Sequence, residues 1–317
     1  MAASCATVAQ PVVAQGRAVA ADFRVASPLG HQLAVVVERP AHITPAAVVV
    51  LIAGAGPNDR DGYTARGPGG DNHAFRDIVA RLTASGFAVA RFDEVGTGRS
   101  TGDYAVQATT ASLATDVAAI VASIAALPDF AARPVILLGH SEGGAIAARV
   151  AATEPRVAGV IALAAPAWNG RRIMGYQVRL AAERERQAVS YTSADLIEAR
   201  MLRDLRDRLE HEAWYPFFLD YDPLPSFREI RVPVLLLQGE RDDAVLFEQS
   251  YELAEAMRGA GNAAVTLQLF PGLSHDFADP ADARRRQGTA PIAEPVLAAI
   301  ERWLGGLRDA SAPPATR

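Results

Sequence analysis

The 317-residue chain contains no lysine: all 31 basic side chains are arginine, set against 36 acids for a formal net charge of -5. The arginines are interspersed with acids, so no basic face suited to a phosphate backbone is expected, and nucleic acid is not read as a partner. Cysteine is almost as scarce. Cys5 stands alone, which excludes an internal disulfide framework and argues against thiol chemistry. No stretch approaches the roughly 18 consecutive apolar residues of a membrane span. Residues 1–21 are rich in Ala and Val but lack the basic start and unbroken apolar core of a complete signal peptide. They read as a flexible leader over 1–19, and the chain as written reads as soluble and cytoplasmic. The Ala-Ala-Ser before Cys5 resembles the end of a lipoprotein cleavage site, so export to the periplasm or a lipid anchor stays the alternative if a signal precedes Met1.

What is present is globular: half of the residues are hydrophobic and 21% are charged. Apolar runs of strand length at 20–26, 31–38, 46–53, 87–92, 135–138, 157–163, 232–237 and 264–270 alternate, after the first two, with helical patterns. The first two predict a hairpin around Pro28-Leu29-Gly30, and the rest a largely parallel sheet with helices at 73–85, 110–126, 141–152, 246–258 and 291–307. From 168 to 230 the rhythm breaks into Arg/Glu-rich helical stretches, 179–188 and 193–211, with no β-branched run. Neither flank completes a sheet alone, so this segment is expected to be a helical cap inserted into one core formed by 20–167 and 231–308. Residues 309–317 read as a loose tail.

The sharpest local signal is Gly139-His140-Ser141-Glu142-Gly143-Gly144 between an apolar strand and a helix. G-x-S-x-G in that setting is a nucleophile elbow, a turn so tight that the positions two before and two after the serine must lack bulk. A serine hydroxyl needs a base, and the base an acid that holds its tautomer. Taken in the order Ser, acid, His, the acid falls on Gly239-Glu240-Arg241-Asp242-Asp243, after the strand at 232–237. Asp242 is the choice, with the adjacent Asp243 left open until geometry decides. Among six histidines, His275 follows the strand at 264–270 and lies on the same sheet edge. His31, His42, His73, His140 and His211 are read as structural. Small residues in Gly54-Ala55-Gly56-Pro57 would let the Ala55 amide, paired with that of Glu142, hold an oxyanion.

Taken together, these motifs resemble the α/β-hydrolase superfamily, and within it the bacterial esterases of the serine aminopeptidase-like group. The resemblance runs from residue 46 to 276. It adds Asp59-Arg60-Asp61, Phe92-Asp93-Glu94-Val95-Gly96-Thr97-Gly98-Arg99-Ser100 and Tyr221-Asp222-Pro223. It implies an α/β-hydrolase fold, an eight-stranded and mostly parallel sheet with helices on both faces and an inserted cap. It also implies a cofactor-free, metal-independent hydrolysis of small carboxylic esters, cyclic ones included, through an acyl-enzyme. Many relatives carry Asp-x-Arg-Gly where this chain has Asp93-Glu94-Val95-Gly96, which calls a structural salt bridge into question. Asp93 and Arg99 are read as fixing their loop. Trp168, Met174, Tyr176, Trp214, Phe217 and Phe218 are candidates to line a substrate chamber or to pack the cap. An aminopeptidase or amidase with the same triad is the alternative and would need a cap acid such as Glu183, Glu185 or Glu198. A scaffold kept only for binding is a third reading. Oligomeric state is not legible.

Overall fold

Val48–Ile52, three valines followed by Leu and Ile, is buried at every position. An unbroken apolar run of this kind belongs to a parallel strand covered on both faces. In the computed structural model, which describes residues 18–62, 74–188, 194–279, 281 and 290–310, it is β3 of an eight-stranded sheet. The other strands are β1 (Ala18–Ala26), β2 (Gln32–Pro40), β4 (Ala88–Phe92), β5 (Val135–His140), β6 (Val157–Leu163), β7 (Val234–Gly239) and β8 (Val265–Phe270). Their spatial order is β1-β2-β4-β3-β5-β6-β7-β8. The hairpin β1–β2 and the pair β2–β4 are antiparallel, and every pairing from β4 to β8 is parallel.

Alternate residues of a strand point to opposite faces, and the core divides accordingly. Val48, Val50 and Ile52 pack with Val135 and Leu137 against α3 (Thr110–Ala126), α4 (Glu142–Ala151) and α9 (Glu248–Gly259). Val49 and Leu51 pack with Ile136 and Leu138 against α1 (Ala74–Ala84) and α10 (Glu294–Ala310). α3 starts where its cap predicts: the Thr109 hydroxyl accepts from the Ser112 amide while the Ser112 hydroxyl accepts from the Thr109 amide.

Between β6 and β7, which are neighbours in the sheet, lie α5 (Gly170–Ala188), α6 (Ala194–Leu209), α7 (Trp214–Asp220) and α8 (Leu224–Glu229). The last two, and α2 (Tyr104–Gln107) after β4, were not expected, because four to seven residues are too few for a helical period to register. Two boundaries move. β1 begins inside the stretch read as leader, since Ala18 and Val19 find partners in Pro40 and Arg39 across the hairpin. α10 runs through Ala310, past the expected end at 307 and into the stretch read as tail. Cys5, His73, Ser193, residues 1–17 and residues 311–317 lie outside the described residues. Among the described residues no helix is long and apolar enough to cross a membrane.

Candidate active site

Parallel strands end on the same edge of the sheet, so the segments that follow β3, β5, β7 and β8 meet there. Ser141 occupies the single residue between β5 and α4 with φ 54 and ψ -124, a conformation an L-residue adopts only under constraint. The constraint is visible in the backbone: the Ser141 amide donates to the Leu163 carbonyl at 2.8 Å, and its carbonyl accepts from the Gly144 amide at 2.9 Å. A Cβ on Gly139 would lie 2.0 Å from the Gly143 carbonyl oxygen, and one on Gly143 would lie 2.3 Å from that of Ile52. Neither neighbour is a side chain that could swing aside. Gly143→Ala is therefore expected to destabilise the fold by at least about 2 kcal/mol, read as a lower urea midpoint at unchanged slope. A wild-type midpoint would mean the turn is looser than described.

The two adjacent aspartates after β7 part company. Asp242 is buried and uses both carboxylate oxygens. Its Oδ1 accepts from the amides of Ala244 and Val245, each at 2.8 Å. Its Oδ2 accepts from Gln238 Nε2 and from His275 Nδ1, again each at 2.8 Å. Asp243 instead turns outward and pairs with Arg184 on α5 at 3.2 Å. The geometry thus brings Asp242, and not its neighbour, to His275. Burial works against charge on both partners. It is outweighed by their mutual attraction and hydrogen bond, so the His275 pKa rises and the Asp242 carboxyl falls below the usual range.

His275 sits in the turn after β8, and the elbow holds that turn directly. The His140 Nε2–H donates to the His275 carbonyl at 3.0 Å, and the two imidazole rings lie 4.8 Å apart at 51°. A carbonyl can only accept, so His140 carries its proton on Nε2. Burial, then the nearby His275, pushes its pKa down. Sequence placed His140 near Ser141, but its tie to the backbone of His275, 135 positions away, has no local signal. His31 donates to buried Asp116 on α3, which also accepts from Ser27 Oγ, and fastens the β1–β2 hairpin. His42 and His211 are exposed.

The loop after β3 lies against the elbow, where a Cβ on Gly54 would come 3.1 Å from the Ser141 Cβ. Behind it, Arg60 makes a two-pronged pair with buried Asp93, Nε to Oδ1 at 3.0 Å and Nη2 to Oδ2 at 2.7 Å, and reaches Asp22 at 2.7 Å. Asp93 also accepts from the Arg60 and Arg99 amides. Asp93 thus has an arginine partner in Arg60, and it fixes both loops as expected. Arg91 continues the network to Asp61 and Glu38.

Glu142, the residue after Ser141, has a buried carboxyl that accepts from Thr110 Oγ1 at 2.5 Å and from Trp214 Nε1 at 2.8 Å. Burial raises its pKa. Of the aromatic candidates, Trp214 is thereby committed to anchoring α7, and Phe218 stacks on it at 4.6 Å. Trp168 donates to Glu252 and carries the Arg172 guanidinium 3.4 Å above its ring. Phe217 stacks on Tyr221. Met174 and Tyr176 are half-buried on α5. That helix passes near the loop that carries Asp242, because Gln177 Nε2 donates to the Ala244 carbonyl at 3.0 Å.

Comparison with known proteins bears on the fold that carries these residues. A serine aminopeptidase S33 model matches residues 65–211, and the dienelactone hydrolase family matches 211–305. No curated protein sequence matches the chain. Among solved structures it is similar to an esterase of Pyrococcus furiosus at 17% identity and TM-score 0.59, over 91% of this chain and 88% of that one. An α/β hydrolase of a Penicillium species gives 18% and 0.62, over 92% and 98%. Proline iminopeptidase of Mycobacterium smegmatis gives 18% and 0.59, over 92% and 100%. Two hydrolase family models thus match consecutive parts of the sequence, and the chain has the α/β-hydrolase fold.

Proposed function

We propose that the protein is a serine esterase that cleaves small carboxylic esters through an acyl-enzyme. Ser141 attacks the carbonyl carbon, and His275 takes the hydroxyl proton and returns it to the leaving alcohol. Asp242 holds His275 in the productive tautomer and stabilises its charged form. The amides of Ala55 and Glu142 receive the negative charge that develops on the carbonyl oxygen, and water then releases the acid by the same route. The observation that carries this reading is the 2.8 Å bond from His275 Nδ1 to a buried, fully engaged Asp242, in a turn tied to the residue before a strained Ser141. With Nδ1 donating to the carboxylate, Nε2 is the nitrogen left to accept a proton.

The match to the dienelactone hydrolase family supports including cyclic esters. The amidase reading draws on the iminopeptidase neighbour, but the acids it would need are engaged: Glu183 with Arg186, Glu185 with Arg200 and Glu198 with Arg179. The inserted helices α5–α8 are read as the cap, with Met174 and Tyr176 the candidates of the six left to face a substrate. A panel of p-nitrophenyl esters, lactones and aminoacyl-anilides tests the assignment. Ester turnover is expected to dominate, and faster cleavage of an anilide would transfer the protein to the amidase reading.

The pH profile follows from the same pair. His275 must be neutral to accept the proton, and Asp242 favours its charged form. For a neutral ester, kcat/KM should therefore rise with pH and level off above an apparent pKa higher than the ~6.5 of an ordinary histidine. The same shifts bear on stability. The raised His275 contributes below its unfolded pKa and loses that contribution as pH rises through the folded one, and the lowered Asp242 loses its own as pH falls. An activity profile flat down to the carboxylate range would remove His275 from the base role.

A further inference from the structure

We propose that Asn58 is a positioning residue for the oxyanion site, acting by aiming the Ala55 amide. The inference rests on the reading of Ala55 as an oxyanion donor. Both hydrogens of the Asn58 side-chain amide are used on the backbone that brackets Ala55: Nδ2 donates to the Gly54 carbonyl at 2.8 Å and to the Gly56 carbonyl at 2.6 Å. The Gly54 carbonyl and the Ala55 N–H belong to one planar trans peptide, in which C=O and N–H point in opposite directions. Drawing the Gly54 oxygen toward Asn58 therefore turns the Ala55 N–H away from it. Fixing the Gly56 carbonyl on the far side stops that plane from rotating.

Side-chain packing does little to hold the loop in this orientation. Ala55 is exposed, and its flanking glycines have no side chains to pack. Asn58, by contrast, is buried and anchored from below. Its amide donates to Glu94 Oε2 at 2.9 Å, and its carbonyl accepts from the Glu94 amide at 3.1 Å and from Thr97 Oγ1 at 2.7 Å. The chain of support thus runs from the segment after β4, through Asn58, to the peptide beside Ser141. The residue type is specific. Two carbonyls in reach of one side chain call for two donors on one nitrogen, which a carboxylate or a hydroxyl does not offer.

The test compares Asn58→Ala and the isosteric Asn58→Asp with wild type, using a p-nitrophenyl ester and a fluorophosphonate probe. An oxyanion donor acts in the transition state and not in substrate binding. In folded variants kcat should therefore fall about a hundredfold while KM stays within about threefold, and probe labelling should slow in parallel. The isosteric variant keeps the packing volume and serves where the truncation does not fold. A folded variant with wild-type kcat, or one whose loss lies in KM alone, overturns the proposal. If wild-type Ser141 is not labelled, the underlying esterase reading fails and takes this one with it. A labelled wild type beside an unaffected variant sinks this inference alone.

Discussion

Ser141→Ala is expected to leave a folded protein whose ester turnover is lower by about a millionfold, the scale on which loss of an activated serine is felt. The fold should tolerate the change for a concrete reason. The Ser141 hydroxyl makes no capping hydrogen bond to α4, and the strained backbone is held by main-chain bonds to Leu163 and Gly144 that alanine keeps. Thermal unfolding should match wild type within about a degree or two. The decisive measurement is intact-mass detection of a fluorophosphonate adduct, present on wild type and missing from the variant. Adduct formation or residual turnover in Ser141→Ala would place the nucleophile elsewhere.

The second large effect concerns the acid. Asp242→Asn preserves shape but carries one oxygen where the carboxylate has two. If the oxygen stays with the donating amides of Ala244 and Val245, the new NH2 faces His275 Nδ1 and also meets the Gln238 amide donor. His275 would then carry its proton on Nε2, where it cannot take one from Ser141. A fall in kcat of about ten-thousandfold is expected, with folding retained. Asp243→Asn is the control. It breaks an exposed pair with Arg184, worth at most about 1 kcal/mol, and turnover should stay near wild type. Equal losses in the two variants, or the larger loss in the second, would reverse the assignment of the neighbouring acids.

The elbow and the β/α rhythm were legible because their causes are local: three glycines around a serine, and uninterrupted apolar runs. Asp242 and Asp243 could not be separated in that way. What distinguishes them is Gln238 on one side and Arg184, 59 positions distant, on the other. The departure at Glu94-Val95 called a structural salt bridge into question and left an arginine partner for Asp93 unidentified. That partner stands 33 residues earlier, in the Asp59-Arg60-Asp61 step that was already in view, and pairing Arg60 with Asp93 would have found it. Trp214 read equally well as a chamber wall. Its bond to Glu142 crosses 72 residues and joins a seven-residue helix too short to announce itself.

The Arg60–Asp93–Asp22 and Arg91–Asp61–Glu38 brackets that hold the Asn58 loop have a chemical consequence at the alkaline end of the scale. Guanidinium groups keep their proton far beyond the range in which ester cleavage can be assayed against spontaneous hydrolysis. A lysine-built frame would begin to discharge within reach of that range. With arginine at every joint, any fall in turnover under strongly basic conditions must originate somewhere other than the disconnection of this scaffold.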